Sequence, residues 1–185
     1  MINNNEDKII ELIEKQIDRK PEGMVEVTIE CPFSYPAVIK VYPFFNGRVF
    51  PTTYWLTCPY LQKKISILED KGWITKMQKL VDNDEEVAQA LKKAHKNYAK
   101  ERFKMLDSEE KAKMKEISDD IYKTLKYSGI GGVKDNKGIK CLHTHVADFL
   151  VNNFNPVGKK VFQKIKWPKT CNICKEMESN EKSSN

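Results

Sequence analysis

The sequence predicts an α+β fold, with a small antiparallel sheet in the N-terminal third packed against a C-terminal helical bundle. Three observations predict it. From Met24 to Glu30, Val25, Val27 and Ile29 alternate with Glu26, Thr28 and Glu30, the pattern of a half-buried strand. Turn-forming residues at Pro36, Pro43, Asn46-Gly47 and Pro51 cut the following stretch into short extended pieces. After Cys58 the apolar spacing changes to that of helices.

Taken in order, residues 5–19 predict an amphipathic helix. Ile9, Ile10, Leu12, Ile13 and Ile17 fall near a 3.6 period, acids sit near its start, and Pro21 and Gly23 end it. The strand at 24–30 follows, then an apolar run from Ala37 to Tyr42. A third extended piece starts at Arg48, and a fourth runs from Thr52 to Thr57. Pro43 and Pro51 predict edges or bulges there. Pro59 suits the first turn of a helix with Leu61, Ile65 and Leu68 as its buried stripe, capped by Gly72. Trp73 to Val81 reads as a short helix or loop. Asp84 caps a long helix to about Leu106. Ser108 with Glu109 and Glu110 starts another, reaching about Tyr127. Ser128-Gly-Ile-Gly-Gly-Val is a connector: it lacks the spacing of a phosphate loop, and no strand precedes it. Asp135 to Gly138 forms a tight turn. A helix opens near Cys141, and Asn155-Pro156 caps a last one that closes at Trp167-Pro168. The expected organisation is one domain over residues 1–168 and a tail over 169–185 with a mobile polar end.

A chain of 185 residues with 40% hydrophobic and 31% charged residues can bury one sizeable core. It contains no apolar run of membrane-spanning length, and its polar, acidic first residues are unlike a secretory or transit signal. A cytoplasmic location is expected, where five cysteines would stay reduced. Net charge is +6, unevenly placed. Residues 128–170 carry eight lysines against Asp135 and Asp148, a basic surface suited to an anionic ligand, an acidic protein or nucleic acid.

The densest chemistry is Lys140-Cys-Leu-His-Thr-His-Val-Ala-Asp148. If Cys141 is itself helical, Cys141 and His145 share a face while His143 points elsewhere. Cys31-Pro32 and Cys58-Pro59 each end an extended segment, where a thiol can project from a sheet edge. With Cys141 and a histidine they make a Cys₃His set adequate for zinc, and three thiolates would also serve an iron–sulfur cluster. Buried, chemically silent thiols account for the same residues. A Cys–His nucleophile is the enzyme alternative: Cys141 or Cys58, a base among His95, His143 and His145, and Asp148 as orienter. Cys171-x-x-Cys174 is a lone pair, half of a metal site or a redox couple.

Several blocks carry a resemblance. Glu30-Cys-Pro-Phe-Ser-Tyr-Pro-Ala-Val-Ile39, Phe50-Pro-Thr-Thr-Tyr-Trp-Leu-Thr-Cys-Pro59, Ala94-His95 with Tyr98 and Glu101-Arg102, Gly131-Gly132, Lys140-Cys-Leu-His143 and Asn155-Pro-Val-Gly158 resemble the bacterial DUF501 family, over roughly residues 25–161. That resemblance implies no established activity or cofactor. It implies that Cys31, Cys58, His95, Arg102, Cys141 and His143 belong to the family pattern, and it favours His143 over His145. If Cys141 and His143 serve one site, the helix must begin after Cys141 or even after His143.

The resulting expectation is a metal site (zinc or iron–sulfur) or thiol site built from Cys31, Cys58, Cys141 and His143, with His95 and His145 as alternatives. Arg102 and Lys140 would bind an anion, and Cys171 and Cys174 would be accessory. A non-enzymatic module docking an acidic protein or nucleic acid, and a metal-free Cys–His hydrolase or transferase, are the alternatives.

Overall fold

A computed structural model describes residues 4–179. The polar end beyond Ser179, expected to be mobile, lies outside the described residues. Helix α1 (Asn4–Ile17) places Glu6 and Asp7 in its first turn, where the helix dipole favours acids. Strand β1 (Met24–Glu30) pairs antiparallel with β2 (Pro36–Val41), which also pairs antiparallel with β5 (Tyr54–Leu56), giving the sheet order β1-β2-β5. The short strands β3 (Phe44–Phe45) and β4 (Arg48–Val49) form a separate hairpin. Asn46 and Gly47 both have positive φ at its turn, as a two-residue hairpin of this hand requires.

The central strand β2 is covered on both sides, which explains its unbroken apolar run. Ile39 and Val41 pack with Ile13 of α1, while Val38 belongs to the larger core shared with the helices. The alternation in β1 does not persist: register irregularities leave Val25 52% exposed.

The helical part begins with α2 (Pro59–Asp70), which buries Leu61, Ile65 and Leu68. Helix α3 (Trp73–Asn83) follows, then α4 (Glu85–Met105), capped by Asp84 accepting from the Val87 amide. The single helix expected from Ser108 to Tyr127 is two, α5 (Ser108–Ile117) and α6 (Asp119–Tyr127). Ser118 breaks the run. Its hydroxyl accepts from the Ile121 amide, and Asp119 and Asp120 favour a fresh helix N-terminus after it. The cap of α5 is Asp107, which forms a capping box with Glu110.

Helices α7 (Leu142–Asn152) and α8 (Pro156–Ile165) pack closely. A Cβ on Gly158 would collide with the His145 carbonyl and the Phe149 side chain, so the close approach requires glycine. The segment expected as a tail carries α9 (Ile173–Ser179), which docks on α1 and α2. Gln16 Nε2 donates to Cys174 Sγ at 3.3 Å, and Cys174 is buried. Among the described residues no helix is long and apolar enough to cross a membrane.

Candidate metal centre

Cys141 is the N-cap of α7, with extended backbone (φ −151°, ψ 124°). The helix therefore begins after the cysteine, and the same-face geometry that would pair Cys141 with His145 does not arise. Cys141 Sγ instead lies 3.6 Å from His143 Nδ1. The third member is Glu69, from the last turn of α2, whose Oε1 is 3.4 Å from the same nitrogen and accepts from the Leu142 amide at 2.6 Å. Donor atoms of Glu69, Cys141 and His143 all lie within 4.8 Å of one another, and all three residues are partly buried.

Tetrahedral zinc, with Zn–N and Zn–O near 2.1 Å and Zn–S near 2.3 Å, separates N from O by about 3.4 Å and S from N by about 3.6 Å. The two nitrogen separations match those values. His143 Nε2 faces the Gln62 carbonyl at 3.2 Å, with Ser66 Oγ at 3.4 Å. A ring N–H held by a backbone carbonyl leaves the other nitrogen free as a ligand. Burial pulls the His143 pKa down, but the Cys141 hydrogen bond and the charges of Cys141 and Glu69 together raise it above its ordinary value.

His143 also borders an open cleft of about 370 Å³, whose wall includes Arg19, Tyr54, Trp55, Gln62 and Thr144. The Arg19 guanidinium sits 4.1 Å from the centre of a Trp55 ring, a cation held beside the cleft.

The other residues singled out from the sequence lie elsewhere. Cys31 and Cys58 line a small cavity together with Cys171 and Cys174. Glu69 follows Cys58 by eleven residues, about 16 Å along a helix, so the expected Cys₃His set is divided between the two ends of α2. Burial pushes the Cys58 thiol up to about 12, against the pull of the Leu61 and Tyr60 amides.

His95 and His145 are both fully buried, with ring centroids 5.7 Å apart and edge to face. His95 Nδ1 accepts from the Ile130 amide at 3.0 Å, and His145 Nδ1 faces the Asn155 side chain. Their Nε2 atoms have no partner. Burial lowers His95 to about 4 and His145 to about 3. Asp148, the suggested orienter, accepts from Asn152 and Asn155 rather than from a histidine, and burial raises it to about 6.

Arg102, expected to bind an anion, is fully buried. Its guanidinium donates to the carbonyls of Leu125, Pro51, Thr124 and Ser128 at 2.5–3.0 Å, so backbone oxygens occupy the positions an anion would take. Lys140 is exposed and reaches the Gly132 carbonyl at 3.4 Å.

Sequence reasoning missed Glu69 and Arg19. One signal for Glu69 was present. Glu69 and Asp70 end α2 with no base in its last turn, where the helix dipole disfavours acids. An acid kept there needs another partner, and here that partner is the start of α7.

An α+β frame carrying a Glu/Cys/His group defines a candidate metal-holding protein. The profile of DUF501, described as "Protein of unknown function", matches residues 27–163, and the chain belongs to that family. No curated protein and no solved structure matches the chain.

Proposed function

We propose that Glu69, Cys141 and His143 hold a divalent transition metal, zinc by preference, at the edge of the Arg19–Trp55 cleft. The observation that supports this reading is that Cys141 Sγ and Glu69 Oε1 face one and the same nitrogen of His143. In a catalytic triad the base meets its nucleophile through one nitrogen and its orienter through the other. Here His143 Nε2 is engaged by a backbone carbonyl, and three donors converge on one point. Three protein ligands leave a fourth tetrahedral position, the arrangement of zinc sites that activate water or polarise a ligand. Arg19, on the wall of the adjoining cleft, favours an anionic molecule in that position.

A second reading has its own support. Cys141 at the start of α7, 3.6 Å from an imidazole, could act as a metal-free thiolate nucleophile.

The experiment is to load purified protein with zinc or cobalt and count metal in the wild type, C141S and H143A. The metal reading expects each variant to lose one equivalent while remaining folded. If both variants hold as much metal as the wild type, that reading fails. Rapid alkylation of Cys141 alone near neutral pH, in protein that binds no metal there, would establish the thiol reading instead.

A further inference from the structure

We infer that Cys31, Cys58, Cys171 and Cys174 form a second, structural zinc site that fastens the C-terminal helix to the sheet and to the start of α2. It is independent of the Glu69 centre and shares no residue with it. Three separate segments deliver the four thiols to one cavity. Cys31 leaves β1 into a tight turn, in which the Ser34 amide donates to the Cys31 carbonyl at 2.9 Å and the Cys31 amide donates to Tyr35 at 2.8 Å. Cys58 is the N-cap of α2, and its amide donates to the Ala37 carbonyl at 3.3 Å, which fixes it beside the start of β2. Cys171 and Cys174 come from the two-residue-spaced pair at the start of α9.

The cavity between them is about 10 Å³, the room of about one water-sized sphere. Its remaining walls are mainly aromatic and proline side chains, such as Phe33, Pro36, Pro59 and Trp167. All four cysteines are free thiols. Tetrahedral sulfur-only ligation selects zinc, or a single iron. Four protein ligands leave no open position, the mark of a structural site. A second layer is in place: Gln16 Nε2 donates to Cys174 Sγ at 3.3 Å, and the same nitrogen also donates to the Pro36 carbonyl at 2.9 Å.

Among the described residues no three of these sulfurs lie within 4.8 Å of one another. Sulfurs sharing a zinc sit about 3.8 Å apart, so binding draws the turn at Cys31 and the seven-residue α9 inward. The turn at Cys31 is partly exposed and α9 contacts mainly α1 and α2, so the shift falls on one turn and one short helix. Two ligands, Cys171 and Cys174, fall outside residues 27–163 that match the family profile. Each thiol gives up its proton when the ion enters, and the metal–sulfur bonds replace the S–H bonds.

The test uses the full chain, purified under reducing conditions and loaded with zinc or cobalt. Metal per chain, the sulfur-to-cobalt charge-transfer absorption, and the number of thiols protected from iodoacetamide are measured. The variants are C171S/C174S, which alters only the terminal segment, and C141S. The wild type is expected to hold a thiol-ligated ion protecting four cysteines. C171S/C174S is expected to lose one equivalent and to expose Cys31 and Cys58 to alkylation. C141S is expected to keep that ion, so failure of the Glu69 centre reads separately. Proteolysis near residues 166–172 should accelerate at least about tenfold on chelation, as the helix is released. Equal metal content and equal thiol protection in the wild type and folded C171S/C174S would overturn the inference. Iron in place of zinc at the same thiols would overturn the choice of metal.

Discussion

Glu69 Oε1 and His143 Nδ1 lie 3.4 Å apart, although they belong to opposite termini of two different helices. The carboxylate at the end of α2 also accepts from the Leu142 amide, so one oxygen both caps α7 and faces the candidate metal position. The same residue is thereby tied to folding and to the proposed metal centre, and the two can be tested separately.

Replacing Glu69 with Gln keeps an oxygen for the Leu142 amide but removes the charge. Metal affinity at the Cys141–His143 centre should fall by about tenfold or more, a scale that even outer groups at metal sites command. Stability should fall by no more than about 1 kcal/mol, the worth of a weakened cap. Paired metal titrations and urea unfolding check this. An unchanged affinity would remove Glu69 from the ligand set.

Arg102→Met should destabilise the protein by about 3 kcal/mol or more, because several buried carbonyls lose their donor together. Metal content should not change. Urea unfolding with metal analysis of the same sample distinguishes this structural clamp from an anion-binding group, whose loss would leave stability nearly intact.

Gly158→Ala forces a methyl group into the His145 carbonyl and the Phe149 side chain. A cost of about 2–3 kcal/mol is expected from separating α7 and α8. The thermal midpoint of the variant measures it, and a shift within error of zero would mean that the two helices can part freely.

His95 sets a pH dependence. Its folded pKa is about 4, lowered by burial from 6.5, so the neutral ring is what the fold accommodates. Protonating Nδ1 would also oppose the donating Ile130 amide. A base with a depressed folded pKa contributes stability that is fully present above pH 6.5 and is lost as pH falls through 4, at up to about 1.4 kcal/mol per pH unit. Asp148 has the opposite sign: raised to about 6, it contributes below pH 3.8 and loses that contribution as pH rises through 6. His95→Asn keeps an acceptor for the Ile130 amide and removes the titration. Unfolding midpoints at pH 7, 5.5 and 4.5 should show a shallower loss in the variant than in the wild type. Parallel curves would place the acid sensitivity elsewhere.

Much of the fold can be read from local pattern, because its causes are local. The Asn46-Gly47 hairpin, the Asp84 and Asn155 caps and the prolines opening α2 and α8 act through neighbours within a few residues. Where local signals compete, the reading slips. Ser118 ends one helix and starts the next inside what looks like a single run, and the irregularities in β1 turn Val25 outward despite clean alternation. The conflict over Cys141 is of the same kind. Helical spacing pairs Cys141 with His145 only if the cysteine is helical, and as the cap residue it meets His143 instead.

By itself, then, the sequence determined the order of sheet and helices, most of the caps, the basic stretch around Cys141 and which cysteines and histidines are on offer as ligands. The tertiary structure alone decided their grouping. It put Glu69 beside Cys141 and His143, gathered Cys31 and Cys58 with the terminal cysteine pair, and spent Arg102 on backbone carbonyls. The physical reason is that a ligand set is a matter of distance in space. That distance depends on how α2 lies across the starts of α7 and α9, which follows from the packing of the whole core rather than from the spacing of any motif.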